Sequence, residues 1–150
     1  MRYIGRMKTR SLIIALSFIA ISITGFAQEI SDKQIAFANK FVTAVADHSE
    51  KKTMKYLDKT YRKAQLAFLE GNKEQLVNEL FSGQDLSDTD KYLNFKISEI
   101  TKIEIIEVIS LKGTSDCTYI FKLKRGDQEI LASLRLKVNG KKFGFEGAMG

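Results

Sequence analysis

Proline is absent from all 150 residues, cysteine occurs once, and histidine occurs once. Without proline, whose ordinary usage is about 5%, turns have to be built from Gly, Asn and Asp, and those turns are easy to find in the sequence. A single cysteine, Cys117, cannot form an intramolecular disulfide, so the fold stands on its hydrophobic core. It sits in an alternating apolar run, where a lone cysteine is expected to be a buried, inert thiol. One histidine, His48, rules out His-based metal sites and a general base assisted by a second histidine; near the end of a helix it is expected to meet carbonyls. A nucleophile elbow, a phosphate-binding loop, a dinucleotide fingerprint and a zinc-type His/Cys cluster are all missing. Asp85, Asp88 and Asp90 lack the central glycine and terminal glutamate of a calcium loop. Arg125-Gly126-Asp127 spells a cell-adhesion tripeptide, but Gly-Asp is what a hairpin needs at that place. No cofactor, no metal and no catalytic residue is expected.

The first 27 residues have the three-part layout of a secretory signal. Arg2, Arg6, Lys8 and Arg10 form a basic start, Leu12 to Ile23 is an uncharged apolar run, and Gly25-Phe26-Ala27 supplies small residues before a cut between Ala27 and Gln28. The apolar run is short of the roughly 20 residues of a comfortable membrane span. Position 28 is Gln, so a lipid anchor at the usual cysteine is excluded. The expected organisation is a signal peptide over 1–27 and one domain over 28–150, exported to the periplasm or secreted and soluble after cleavage, with no membrane contact thereafter. Cleavage also changes the charge. Four basic residues and no acidic ones precede position 28, so a net charge of +6 falls to +2. A nucleic-acid partner loses its support with that charge.

The rest of the chain changes character once. From Ser31 to about Gly83 apolar residues recur at helical spacing, and from about Phe95 onward they alternate. Ser31 is placed as an N-cap with Gln34 closing a capping box, ahead of a stripe of Ile35, Ala38, Phe41, Val42 and Val45. Further helices are expected from Ser49, from about Thr60 through Tyr61, Ala64, Phe68 and Leu69 to Gly71, and from Asn72 to Gly83. Gln84 to Lys91 reads as a polar connection. In the strand half, Gly126-Asp127 predicts a tight turn pairing Leu123 with Ile130, Phe121 with Ala132, Tyr119 with Leu134 and Cys117 with Leu136. Asn139-Gly140 predicts a second turn, pairing Leu136 with Phe143 and Leu134 with Phe145. Both turns put the same residues of the middle strand on the inner face. Lys122, Lys124, Arg135, Lys137 and Lys142, with Glu129 and Glu146, fall on the other face, which is either the wet side of an antiparallel sheet or a surface for an anionic partner. The switch of parity at Ile105-Ile106 predicts a β-bulge or a strand apolar on both faces.

Helices followed by a meander of about four antiparallel strands define an α+β domain, with the helices on one face of a curved sheet. The Phe41-Val42-x-Ala44 helix, Tyr56-Leu57-Asp58-x-x-Tyr61, Gly71-Asn72-x-x-Gln75-Leu76-x-x-Glu79-Leu80-Phe81-x-Gly83 and the hairpins ending near Gly147 resemble the cystatin-like roll and, within it, the nuclear transport factor 2-like superfamily. The resemblance covers nearly all of 31–147 and is one of layout. It departs from many members in showing no early hairpin between the helices. It implies a pocket between helix and sheet, with Tyr56, Tyr61, Phe68, Tyr119, Phe121 and Phe145 as lining candidates for a small apolar or amphipathic ligand or a protein of the cell envelope. It also implies an alternative, an isomerase- or lyase-like enzyme in which Glu107 or Glu104 points inward as a base and Tyr119, Tyr61 or Tyr56 donates a hydrogen bond. A third expectation is a structural interaction module of the envelope, or a homodimer formed through the sheet.

Overall fold

Ser31 opens the first helix as its spacing requires. In the computed structural model, which describes residues 30–147, its hydroxyl accepts the Gln34 N–H at 3.2 Å and helix α1 runs Asp32–Ala46. The signal segment over 1–27, with the Ala27–Gln28 cut, lies outside the described residues. Gln34 does not close the expected box; it is buried, with its amide oxygen 4.0 Å from the Cys117 sulfur. The stripe below it behaves as its period demands, with Ala38, Phe41, Val42 and Val45 almost wholly buried.

Three shorter helices follow, each started by an N-cap of the preferred type. Ser49 caps α2 (Glu50–Met54), Asp58 caps α3 (Lys59–Phe68) and Asn72 caps α4 (Lys73–Asn78). Helix α3 ends in a Schellman motif: the Gly71 N–H bonds the Leu66 carbonyl at 2.7 Å and the Glu70 N–H bonds that of Ala67 at 3.3 Å. The left-handed turn begins one residue before the expected glycine, at Glu70 with φ 55.

Six strands form one antiparallel sheet: β1 (Ser82–Asp85), β2 (Asp88–Asn94), β3 (Lys102–Ser110), β4 (Cys117–Arg125), β5 (Gln128–Asn139) and β6 (Lys142–Gly147). The order is β2-β1-β5-β4-β3, with β6 also on β5. Strand β5 is the spine. One edge carries β4 along its length, while the other carries β1 at Ile130 and Leu131 and β6 from Leu134 to Asn139. The β4–β5 register matches all four expected pairs, with Gly126 at φ 62 in the turn. The β5–β6 register differs from expectation by two residues: Leu136 faces Phe145 and Val138 faces Phe143. Asn139 pairs with Lys142, so the two turn residues are Gly140 and Lys141, and glycine takes the first central position at φ 63. A shift of two keeps the same residues inside, so the expected core face survives the error.

Gln84 to Lys91 is a hairpin rather than a loop, because β1 and β2 pair across it. Strand β2 is exposed or half-buried along its whole length, so it carries no alternation for a sequence to show. The sheet therefore has six strands where about four were expected. The parity switch in β3 is a bulge, with Ile105 facing Phe121 and Glu107 facing Ile120. Helix α1 contributes Phe41 to the inner face, where its ring lies 5.6 Å from Phe121 and 4.6 Å from Phe145. Burying each such aromatic contributes about 1.5–3 kcal/mol.

The segment between α2 and α3 joins the sheet as well. Leu57 bridges Phe145 in parallel, the Asp58 N–H bonds the Phe145 carbonyl and the Phe145 N–H bonds the Tyr56 carbonyl, both at 2.8 Å. Gly144 makes this possible, since a Cβ there would collide with the Asp58 backbone.

Candidate functional site

The six aromatic candidates do not converge on one opening. Tyr119, Phe121 and Phe145 are fully buried from the inner face of β4 and β6, and their rings pack on one another and on Phe41 at centroid separations of 4.6–6.2 Å. These rings pack between α1 and the sheet through edge-to-face, tilted and stacked contacts. Burial pushes the Tyr119 hydroxyl well above the usual phenol range, which keeps it neutral. Tyr61 is half-buried and its phenolic oxygen is hydrogen-bonded by the Gly147 backbone; burial raises its pKa, against the lowering effect of that bond. Tyr56 is half-buried, packed edge-on against Phe37 at 5.3 Å, and lines a shallow surface depression with Asn39, Lys40, Thr43, Asp47 and Lys52. Phe68 stands 80% exposed on the outside of α3.

The two candidate bases face away from the core. On β3, Ile103 and Ile105 point inward, so Glu104 points outward, where its oxygens meet Lys122 at 3.4 Å and Lys102 at 3.9 Å. After the bulge Glu107 is exposed. No inward carboxylate is thus formed by either residue, and the acid–base pairing with Tyr119, Tyr61 or Tyr56 does not assemble. His48 does bind a carbonyl, though not one of its own helix: its Nε2 lies 2.7 Å from the Ile100 oxygen, tying the end of α1 to the start of β3. Cys117 is buried, and burial pushes its thiol pKa up, away from the reactive thiolate. Among the described residues no group of His, Cys, Asp or Glu has the closeness needed to hold a metal ion.

Asp116 is a polar anchor that sequence reading missed. It is buried at the loop entering β4, where Oδ2 accepts from Arg135 Nη2 at 2.8 Å and Nε at 3.1 Å, and Oδ1 accepts the Val138 N–H at 2.9 Å. Burial raises its pKa, but the Val138 N–H and the Arg135 guanidinium prevail and hold the carboxyl below its ordinary value. An aspartate just before a strand is common in turns, so only the position of Arg135 opposite Thr118 could have hinted at the pairing.

The solvent face of the sheet gathers a different set. Register places Glu104, Lys122, Leu131, Gln84 and Tyr92 in one row across five strands, with Glu107, Ile120 and Ser133 in the next. Tyr92 is 75% exposed and Ile109 40%, while Ile106, Ile120 and Leu131 are half-buried. Lysines and glutamates alternate around them, including a Lys124–Glu129 pair at 3.9 Å.

Among the described residues, fold and surface together define an α+β domain with four helices against one face of a six-stranded antiparallel sheet whose other face is uncovered by them. Comparison of the chain with protein-family models, with curated proteins and with solved structures found no match. Among the described residues no helix is long and apolar enough to cross a membrane.

Proposed function

We propose that the protein is an exported, non-catalytic interaction domain that meets a second copy of itself through the open face of its sheet. The apolar side chains of Tyr92, Ile106, Ile109, Ile120 and Leu131, spread over that face among charged and polar ones, carry the reading. They lie outside the protein's own core, and apolar side chains gathered on a solvent face suit a contact surface. A second copy suits the face because it holds both signs of charge, Lys102, Lys122, Lys124 and Arg135 beside Glu104, Glu107 and Glu129. A two-fold axis through such a patch brings lysine toward glutamate from both sides at once. Export is supported by the basic start, the apolar run and the small residues of the first 27 positions. The filled interior argues against a ligand held between helix and sheet by Tyr119, Phe121 and Phe145.

Sedimentation equilibrium tests this reading. Wild-type protein is expected to dimerise, and Ile120→Glu to shift it to monomer without unfolding it, because Ile120 lies outside the core. A wild-type monomer at high concentration, or a dimer indifferent to Ile120→Glu, overturns it.

A further inference from the structure

Helix α3 is built with its apolar faces divided. Leu66 and Leu69 pack toward the core with Tyr61, yet none of the ten residues of the helix is fully buried. On its solvent side stand Thr60, Lys63, Ala64, Ala67 and Phe68, all exposed. A mixed helix normally turns its large apolar residues inward. Here Phe68 is the most exposed of the large hydrophobic side chains among the described residues.

The chain leading into this helix is strongly basic. Lys51, Lys52, Lys55, Lys59, Arg62 and Lys63 fall within 13 residues, and Asp58 is the only acidic residue among them. Asp58 is engaged as the cap of α3, accepting the Tyr61 N–H at 3.0 Å. Arg62 is turned inward and donates to the Met54 carbonyl at 3.2 Å. The five lysines are exposed, and among the described residues only Lys52 has a carboxylate within 4.0 Å, that of Asp47. After cleavage the chain as a whole is close to neutral, so this concentration is a local feature. Asp47 and Glu50 precede the run, Glu50 opening α2, and Glu70 and Glu74 follow Phe68, so within 51–63 the cations outnumber the acids six to one.

Cations on one flank of the exposed arc of α3 and an aromatic ring held in water on the other form the pattern of a surface-lying amphipathic segment. We infer that the α2–α3 edge docks on an anionic lipid surface, with Lys51, Lys55, Lys59 and Lys63 against the headgroups and Phe68 entering the boundary of the acyl chains. A polyanion such as a polysaccharide would use the lysines and leave Phe68 in water, and the exposed ring therefore favours lipid. At ten residues the helix is about 15 Å long, which suits lying in the interface and not crossing it. This surface is separate from the open face of the sheet, so the dimer and the lipid contact stand or fall independently.

The chain contains no tryptophan, so Phe68→Trp places a single reporter at the proposed point of insertion. The protein is isolated from its source cell after natural processing, its N-terminus is read by mass spectrometry, and it is mixed with vesicles of phosphatidylglycerol and phosphatidylcholine or of phosphatidylcholine alone. The tryptophan emission is expected to shift to the blue with the anionic vesicles only. Replacing Lys59 and Lys63 together by Gln is expected to lower partitioning about thirtyfold, given roughly 1 kcal/mol per surface lysine. Phe68→Ser is expected to lower it several-fold, and salt to weaken it throughout. Circular dichroism checks that these exposed positions leave the fold intact. An unshifted emission overturns the inference, as does equal binding to both kinds of vesicle. Binding to an anionic polysaccharide that ignores Phe68→Ser, with no binding to vesicles, overturns it in favour of a polymer.

Discussion

Thr53 is fully buried in α2, and its hydroxyl finds no hydrogen-bond partner among the described residues. A buried hydroxyl left in that state costs about 1–3 kcal/mol of desolvation. Valine has nearly the same shape and no hydroxyl, so Thr53→Val is expected to raise stability by about 1 kcal/mol, read as an increase in the thermal midpoint. A lowered midpoint would show that the hydroxyl has a role that its surroundings do not reveal. At the same scale, the core was legible because alternation in β4 and β5 names its inward residues one by one, from Cys117 to Leu136. Asp116 was not legible. Its worth depends on Arg135, which is distant in sequence and adjacent only once β4 and β5 are paired.

Elements differ in how plainly they announce themselves. Helix α1 buries one stripe and exposes the other, so its period reads correctly. In α3 two stripes compete, one through Tyr61, Ala64 and Phe68 and one through Tyr61, Leu66 and Leu69. Burial of Leu66 and Leu69 wins, and Phe68 is left outside. Strand β2 was missed for the opposite reason, since an edge strand wet along its length has no buried face to mark. The parallel pairing of Tyr56-Leu57-Asp58 with Phe145 leaves even less trace, because Gly144 is its one sequence requirement. Gly144→Ala is expected to destabilise the protein by about 1–3 kcal/mol by forcing a Cβ into the Asp58 backbone. Denaturant unfolding measures this, and an unchanged midpoint would mean that the 56–58 segment lifts off the sheet without cost.

Over the whole molecule, the described carboxylates with clear shifts, Asp85, Glu99 and Asp116, are all held below their ordinary values. For Asp85 the leading cause is the Ser87 backbone N–H, and for Glu99 that of Lys96, joined by Arg125. A carboxylate with a depressed native pKa adds stability above its unfolded pKa, near 4, and loses it as pH falls through the native value. Stability is therefore expected to fall steadily below about pH 4. Asp116→Asn removes one of these contributions: the variant should be weaker at neutral pH by about 2 kcal/mol, the scale of hydrogen bonds to a charged group. The gap to wild type should narrow as the solution is acidified. Chemical denaturation across pH 2–7 follows both curves, and a constant gap would remove Asp116 from the acid response.

The fold class was legible at this scale, as one change of period along the chain. The outer face of the sheet was named from alternation as a candidate dimer surface, whereas the exposed Phe68 was not, because exposed residues obey no pattern that a core imposes.

The bond between Asp58 and Phe145 also sets an order in time. Residues 56–58 leave the ribosome well before Phe145, which supplies their backbone partners. The N-terminal helices share that delay, because Phe41 rests on Phe145 and on Phe121. A chain that stops short of β6 lacks these partners, and this part of the fold is completed only when β6 emerges. Such a chain stays open while it is being made, the condition in which a polypeptide can still be threaded through a narrow pore.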